Sequence, residues 1–178
     1  KRFTFLKDNV KLSEAEDNVG SQLAKVQEWF NPTTEPSIAD YVIASVQKSD
    51  VEGIETERYT FLKSDTTLSQ SEDLVGSQKA IVIEQFDGVP ATPSGYILAN
   101  TQVSDVQGIP TNRYTFLKED VQLSESEDRI RSQLAVSQQW FNPAADKTLT
   151  DYSLASKNTS DFQGIKTVEF RFLKNGVE

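Results

Sequence analysis

Three acidic pairs stand at matching places in the chain, Glu16-Asp17, Glu72-Asp73 and Glu127-Asp128, each inside a run of the form LSxxED. Paired carboxylates can divide acid and base roles in glycoside hydrolysis. Hard oxygen ligands also suit calcium, and the aspartates of the SDxxG stretches, Asp50, Asp105 and Asp161, could join from another loop. Trp29 and Trp140, each followed by Phe, offer flat surfaces for a sugar or a partner protein. A catalytic centre needs its residues once, however, and here they come three times. No DxDxDG loop, Gly-rich phosphate loop, GxSxG elbow or HExxH helix accompanies them. A solvated connection between strands accounts for the Glu-Asp pairs. The expectation is a chain that is not an enzyme and needs no cofactor, calcium being the one ion its acidic groups would suit. The plainer role of the tryptophans is packing in the core or between repeats. Gln85 at the corresponding place suits a rim or junction, and Trp29 and Trp140 are the candidate partner contacts.

Composition narrows the classes further. Apolar residues make up 37% and charged residues 25% of 178, enough apolar surface for a packed core. The net charge of −9 argues against nucleic acid, whose phosphates need clustered positive charge, and against an anionic membrane surface. With no Cys there is neither disulfide nor thiolate metal site. With no His the chain lacks the usual acid–base group near neutral pH. No apolar run approaches the ~18 residues of a membrane-inserting helix. No Met is present, even at position 1, so the chain is expected to be processed or cut from something longer.

Those acidic pairs belong to a repeat. RYTFLK occurs at Arg58–Lys63 and again at Arg113–Lys118, with RFTFLK at Arg2–Lys7 and EFRFLK at Glu169–Lys174. Arg2, Arg58 and Arg113 are 56 and 55 residues apart, and the register holds without a gap to Phe30, Phe86 and Phe141. After a one-residue length change it resumes at Tyr41, Tyr96 and Tyr152. This predicts three tandem antiparallel β modules, at 1–57, 58–112 and 113–168, with 169–178 opening a further one. Modules of ~56 residues bury small cores, so they are expected to pack on one another as an elongated all-β array.

SDxxGI reads as a type I turn with Asp50, Asp105 and Asp161 first and Gly53, Gly108 and Gly164 fourth. Beyond it the period is two. Ile109, Thr111, Arg113, Thr115 and Leu117 face one way, while Tyr114 and Phe116 face the other. The aromatic pairs Phe3/Phe5, Tyr59/Phe61, Tyr114/Phe116 and Phe170/Phe172 are therefore the expected repeat core, with Phe30, Phe86, Phe141, Tyr41, Tyr96 and Tyr152. The segment ending in Trp29-Phe30 has helical spacing at Val19, Leu23, Val26 and Phe30, but AIVIEQF in the second module is β-branched and predicts a strand in all three. The proline-bearing NPTTEP, DGVPATPSG and NPAAD are surface loops.

At GYILANTQVSDVQGIPTNRYTF the pattern resembles tandem β-repeats in long proteins of tailed bacteriophages, where a GYxL strand, a polar turn and a TxxYxF strand recur. The resemblance covers all three modules and implies a virion structural protein of a tail, fibre, collar or capsid appendage. Its partners would be copies of itself or other structural proteins of the assembly, and its place virion or extracellular. The alternative is an extracellular adhesive or carbohydrate-binding array.

Overall fold

The structure, a computed structural model, describes residues 1–176, and every regular element among them is a strand. β1 (Val10–Val19), β2 (Gln22–Phe30), β3 (Val42–Val51) and β4 (Ile54–Leu62) form the first sheet in the order β1-β2-β4-β3. The middle sheet repeats this with β5 (Thr66–Val75), β6 (Gln78–Phe86), β7 (Ile97–Val106) and β8 (Ile109–Leu117) in the order β5-β6-β8-β7. The third contains β9 (Val121–Ile130), β10 (Gln133–Phe141), β11 (Tyr152–Phe162) and β12 (Ile165–Lys174), in the order β11-β12-β10-β9. Two hairpins joined through their second and fourth strands thus make each antiparallel sheet. By contact the chain divides into two compact units. One holds Lys1–Gln70, Ile83–Pro90 and Gln102–Arg113; the other holds Ser71–Val82, Ala91–Thr101 and the chain from Tyr114 on.

Three antiparallel β modules in tandem are what the repeat predicts, but the phase differs. The RYTFLK strand closes a sheet as its fourth, inner strand, where the sequence suggested that it opens a module. The sheets accordingly run over 10–62, 66–117 and 121–174. Glu169–Lys174, expected to begin a further repeat, lies in β12 and pairs with both β10 and β11. Phe170 and Phe172 therefore belong to the core of the third sheet and not to the opening strand of a fourth repeat. Phe172 sits opposite Val136 of β10 and Leu154 of β11, Phe170 opposite Gln138 and Lys157, and both rings are 0% exposed. Residues 1–7 form no strand; Phe3 and Phe5, assigned to the core, are 73% and 88% exposed. An RFTFLK segment without a paired strand on either side has no sheet face to bury its rings against. The LSxxED runs are strands as well. Each lies at a sheet edge, where exposed carboxylates discourage pairing with another chain, and that polarity is why they read as connections.

The SDxxG turn is tighter than expected. Val51 pairs directly with Ile54, leaving Glu52 and Gly53 as a two-residue loop with φ of 52° and 82°. Positive φ at both central residues is the type I′ pattern, whose twist matches that of the flanking strands. Gln107-Gly108 and Gln163-Gly164 repeat it. Asp50, Asp105 and Asp161 stand one residue before the turn, and each carboxylate accepts a hydrogen bond from the amide of Gly53, Gly108 or Gly164, at 2.9, 2.9 and 3.0 Å.

Each sheet has two unlike faces. Tyr59 and Phe61 stack 6.4 Å apart on one face of the first sheet and are 6% and 1% exposed. The loop between β2 and β3 packs toward this face: Pro36 is buried, and Tyr41 lies beneath Lys25 and Lys63, at 5.0 and 6.0 Å. In the third sheet Lys147, from the corresponding loop, sits 4.1 Å over the Trp140 ring. The aromatic pairs Tyr59/Phe61 of β4, Tyr114/Phe116 of β8 and Phe170/Phe172 of β12 are buried, as are Phe86 and Phe141; Phe30, Tyr41, Tyr96 and Tyr152 are half-buried.

Apolar residues on the opposite face, mostly aliphatic with Phe86 and Phe141 among them, join sheet to sheet. Within the first unit, Val19, Ala24 and Leu62 of the first sheet pack with Leu68, Phe86 and Ile109 of the middle one. Within the second, Val75, Ala80 and Leu117 pack with Leu123, Phe141 and Ile165 in the same way. The β1–β2 turn, Gly20-Ser21, fixes the first junction. The Ser21 amide donates to the Leu68 carbonyl at 2.7 Å, and the Gln22 side-chain amide to the Thr67 carbonyl at 3.2 Å. Ser77 and Gln78 make the same bonds to the carbonyls of Leu123 and Gln122, both at 3.0 Å. So close is the approach that a Cβ on Gly20 would lie 2.3 Å from the Leu68 oxygen, and one on Gly76 2.1 Å from that of Leu123. Both glycines have φ of 57°.

Gly76→Ala should therefore cost about 2–4 kcal/mol, backbone strain plus overpacking. Gly53→Ala, with no atom within 4 Å of the added Cβ, should cost only the strain, about 1 kcal/mol; urea denaturation of both variants measures the difference. Tyr59 supplies a second prediction. Burial, then its hydrogen bond to Glu57 and the charges of Glu57 and Glu35, push its hydroxyl from 10 up to about 12. The folded state favours the neutral phenol, so the stability it contributes is complete below pH 10 and is lost as pH rises through 12. Titration of tyrosinate absorbance should show one late transition near pH 12 that Tyr59→Phe removes.

Candidate functional site

The acidic pairs do not form a carboxylate dyad. Neighbours along a strand point to opposite faces, and Glu16-Asp17, Glu72-Asp73 and Glu127-Asp128 lie within β1, β5 and β9 with all six residues exposed. Asp17 pairs with Arg58 at 3.5 Å and Glu72 with Lys79 at 4.0 Å, while Asp128 accepts from the Arg129 amide. Asp50, Asp105 and Asp161 are turned to their own turns. Among the described residues no three acidic side chains gather where they could hold a metal ion.

The tryptophans are tied to their own sheets. The Trp29 indole N–H donates to Gln27 at 2.9 Å and that of Trp140 to Gln138 at 3.0 Å; both rings are half-buried. Gln85, at the corresponding place, donates to Asp65 and accepts from the Thr67 hydroxyl. Lys147, besides covering Trp140, pairs with Asp120. That ion pair and the Ala144 amide hold the Asp120 carboxyl below the usual range.

A buried polar network recurs that sequence reasoning missed. Glu28, 8% exposed, accepts from the hydroxyls of Ser49 at 3.1 Å and Thr56 at 2.7 Å. Glu84, also 8% exposed, accepts from Ser104 at 3.1 Å and Thr111 at 2.9 Å, with Arg113 3.7 Å away. A buried carboxylate is tolerable only when so satisfied, and each spans three strands of its sheet. The third sheet has Gln139 at this position. It donates to Ser160 at 2.9 Å and accepts from Ser124 at 3.2 Å. Thr167, the counterpart of Thr56 and Thr111, is buried, and its hydroxyl has no hydrogen-bond partner among the described residues. The coincidence of Glu, Ser and Thr at fixed register in two modules was the available signal, masked by the exposed acidic residues around it.

Beside Thr167 lies a groove of about 530 Å3, lined by Ile97, Phe141, Pro143 and Val168 together with Lys157 and Lys166. Lys157 is paired with Asp146 at 2.5 Å. The equivalent groove of the first sheet, about 290 Å3, carries Glu55 and Glu57, with Glu55 3.4 Å from Lys48. Lys166 and Val168 replace those two acids, so the groove of the third sheet is basic where that of the first is acidic. Apolar walls beside Lys166, the lysine of the groove not committed to Asp146, suit a small organic anion.

In comparison with known proteins, the chain matches no family model, no curated protein and no solved structure.

Thr111→Val, which takes a donor from a buried carboxylate, should destabilise by about 1.5–3 kcal/mol. Thr167→Val removes an unpartnered hydroxyl and should be neutral or stabilising by about 1 kcal/mol. Thermal melts of the two variants check the contrast.

Proposed function

We propose that the chain is a non-enzymatic structural and assembly protein of a phage particle, part of a tail, fibre, collar or capsid appendage, partnered by other structural proteins of that assembly. One observation supports the structural reading above the others. The same glycine-tipped hairpin, the same two carbonyl acceptors and the same six apolar positions join sheet to sheet twice over. Repetition is thus invested in the junctions, while each acidic pair is engaged separately on a solvated edge. The phage setting rests on the resemblance of the GYxL and TxxYxF strands.

A second reading, capture of an acidic glycan by an extracellular array, is favoured only by the basic groove of the third sheet. Fractionation separates the two. In a phage-producing culture that expresses the chain, mass spectrometry should find it in gradient-purified particles at constant ratio to the major capsid protein. Recovery on the cell surface, with binding of uronic-acid glycans abolished by Lys166→Glu, would replace the structural reading with the adhesive one.

A further inference from the structure

The third hairpin departs from the other two at the one position that docking cannot tolerate. Gly20 and Gly76 are followed in the register by Arg131, which holds the same backbone conformation, φ 58° against 57°. At the first two tips the atom that an added Cβ would strike is a backbone oxygen of the docked strand, 2.3 and 2.1 Å away, and cannot swing aside. Ser132 and Gln133 continue the Ser-Gln sequence that makes the docking hydrogen bonds elsewhere. The apolar residue before the tip records the consequence: Val19 and Val75 are 6% and 8% exposed, Ile130 40%.

The complementary face exists on the first sheet. Lys11 and Leu12 correspond to Thr67-Leu68 and Gln122-Leu123, whose carbonyls receive the hairpins. Leu12, Phe30, Val51 and Ile54 correspond to the junction residues Leu68, Phe86, Val106 and Ile109. The first sheet's four are half-buried, whereas Leu68, Phe86 and Ile109 are 0%, 7% and 2% exposed. Both halves of a head-to-tail contact are therefore present on one chain, and such contacts propagate from copy to copy, into rings or filaments, unless something stops them.

We propose that Arg131 is that stop. Its Cβ bars the third sheet from docking onto the first sheet of a second copy by the contacts that join the sheets within the chain. The barrier is steric and lies at Cβ, so the guanidinium is dispensable. A glycine at the tip restores the Gly-Ser-Gln form of the docking hairpins and relieves a non-glycine residue at positive φ.

Size-exclusion chromatography with light scattering over a wide concentration range tests this on the wild-type chain, Arg131→Gly and Arg131→Ala. Wild type and Arg131→Ala should each keep one mass at all concentrations. Arg131→Gly should form a concentration-dependent ladder of integral multiples that collapses to single copies when Leu12→Arg is added. Its circular dichroism should match wild type and its melting temperature should be equal or higher, which excludes association through misfolding. A natively folded Arg131→Gly that stays single would overturn the proposal. So would a wild-type ladder abolished by Leu12→Arg. Association of Arg131→Ala would show that charge, not the Cβ, had been the barrier.

Discussion

The tip of the β1–β2 hairpin comes so near the next sheet that only a hydrogen atom fits between them. With a Cβ on Gly20 or Gly76 the distance to a backbone oxygen would be 2.3 or 2.1 Å, far inside van der Waals contact. This approach brings the Ser21 and Ser77 amides to the Leu68 and Leu123 carbonyls and lets Val19 and Val75 enter the aliphatic cores. A module of this size buries too little surface to be robust alone. The shared cores, in which Leu68 and Leu117 are fully buried, supply what a single sheet lacks.

The two faces of each sheet divide the work. Tyr59 and Phe61 pack on one face of the first sheet, toward which its own loop with Pro36 and Tyr41 folds. The aliphatic face holds the satisfied carboxylates Glu28 and Glu84 and the small and branched residues that meet the next sheet. Ala24 and Ala80, both 0% exposed, leave room for Phe86 and Phe141 in the junctions and allow the close contact that the hairpin bonds require.

Much of this was legible in the chain. Self-similarity revealed the number of modules, and the alternation in RYTFLK sorted its aromatic from its aliphatic side correctly. What misled was phase. A hexapeptide that recurs between modules can open one or close another, and only the pairing of β12, which sets Phe172 between Val136 and Leu154, decides. The polar LSxxED runs carry too little hydrophobicity to announce a strand, because each edge strand turns few residues inward, Leu68 and Val75 in β5 and Leu123 in β9. The loops are a related case: NPTTEP and NPAAD read as surface loops, and nothing in their composition says which face of a sheet they lie on. Gly20, Gly76 and Arg131 stand aligned in the repeat, yet the meaning of the change depends on a distant carbonyl, that of Leu68 for Gly20 and of Leu123 for Gly76.

Hydrogen exchange at three equivalent serine amides tests the docking contact most directly. Ser21 and Ser77 donate to the next sheet, so their amides should exchange as slowly as those of the inner strands β2 and β6. Ser132 follows a tip that cannot dock, and its amide should exchange orders of magnitude faster. Equal, fast exchange at all three would contradict the account, because the hairpins would then be resting on their neighbours without being held.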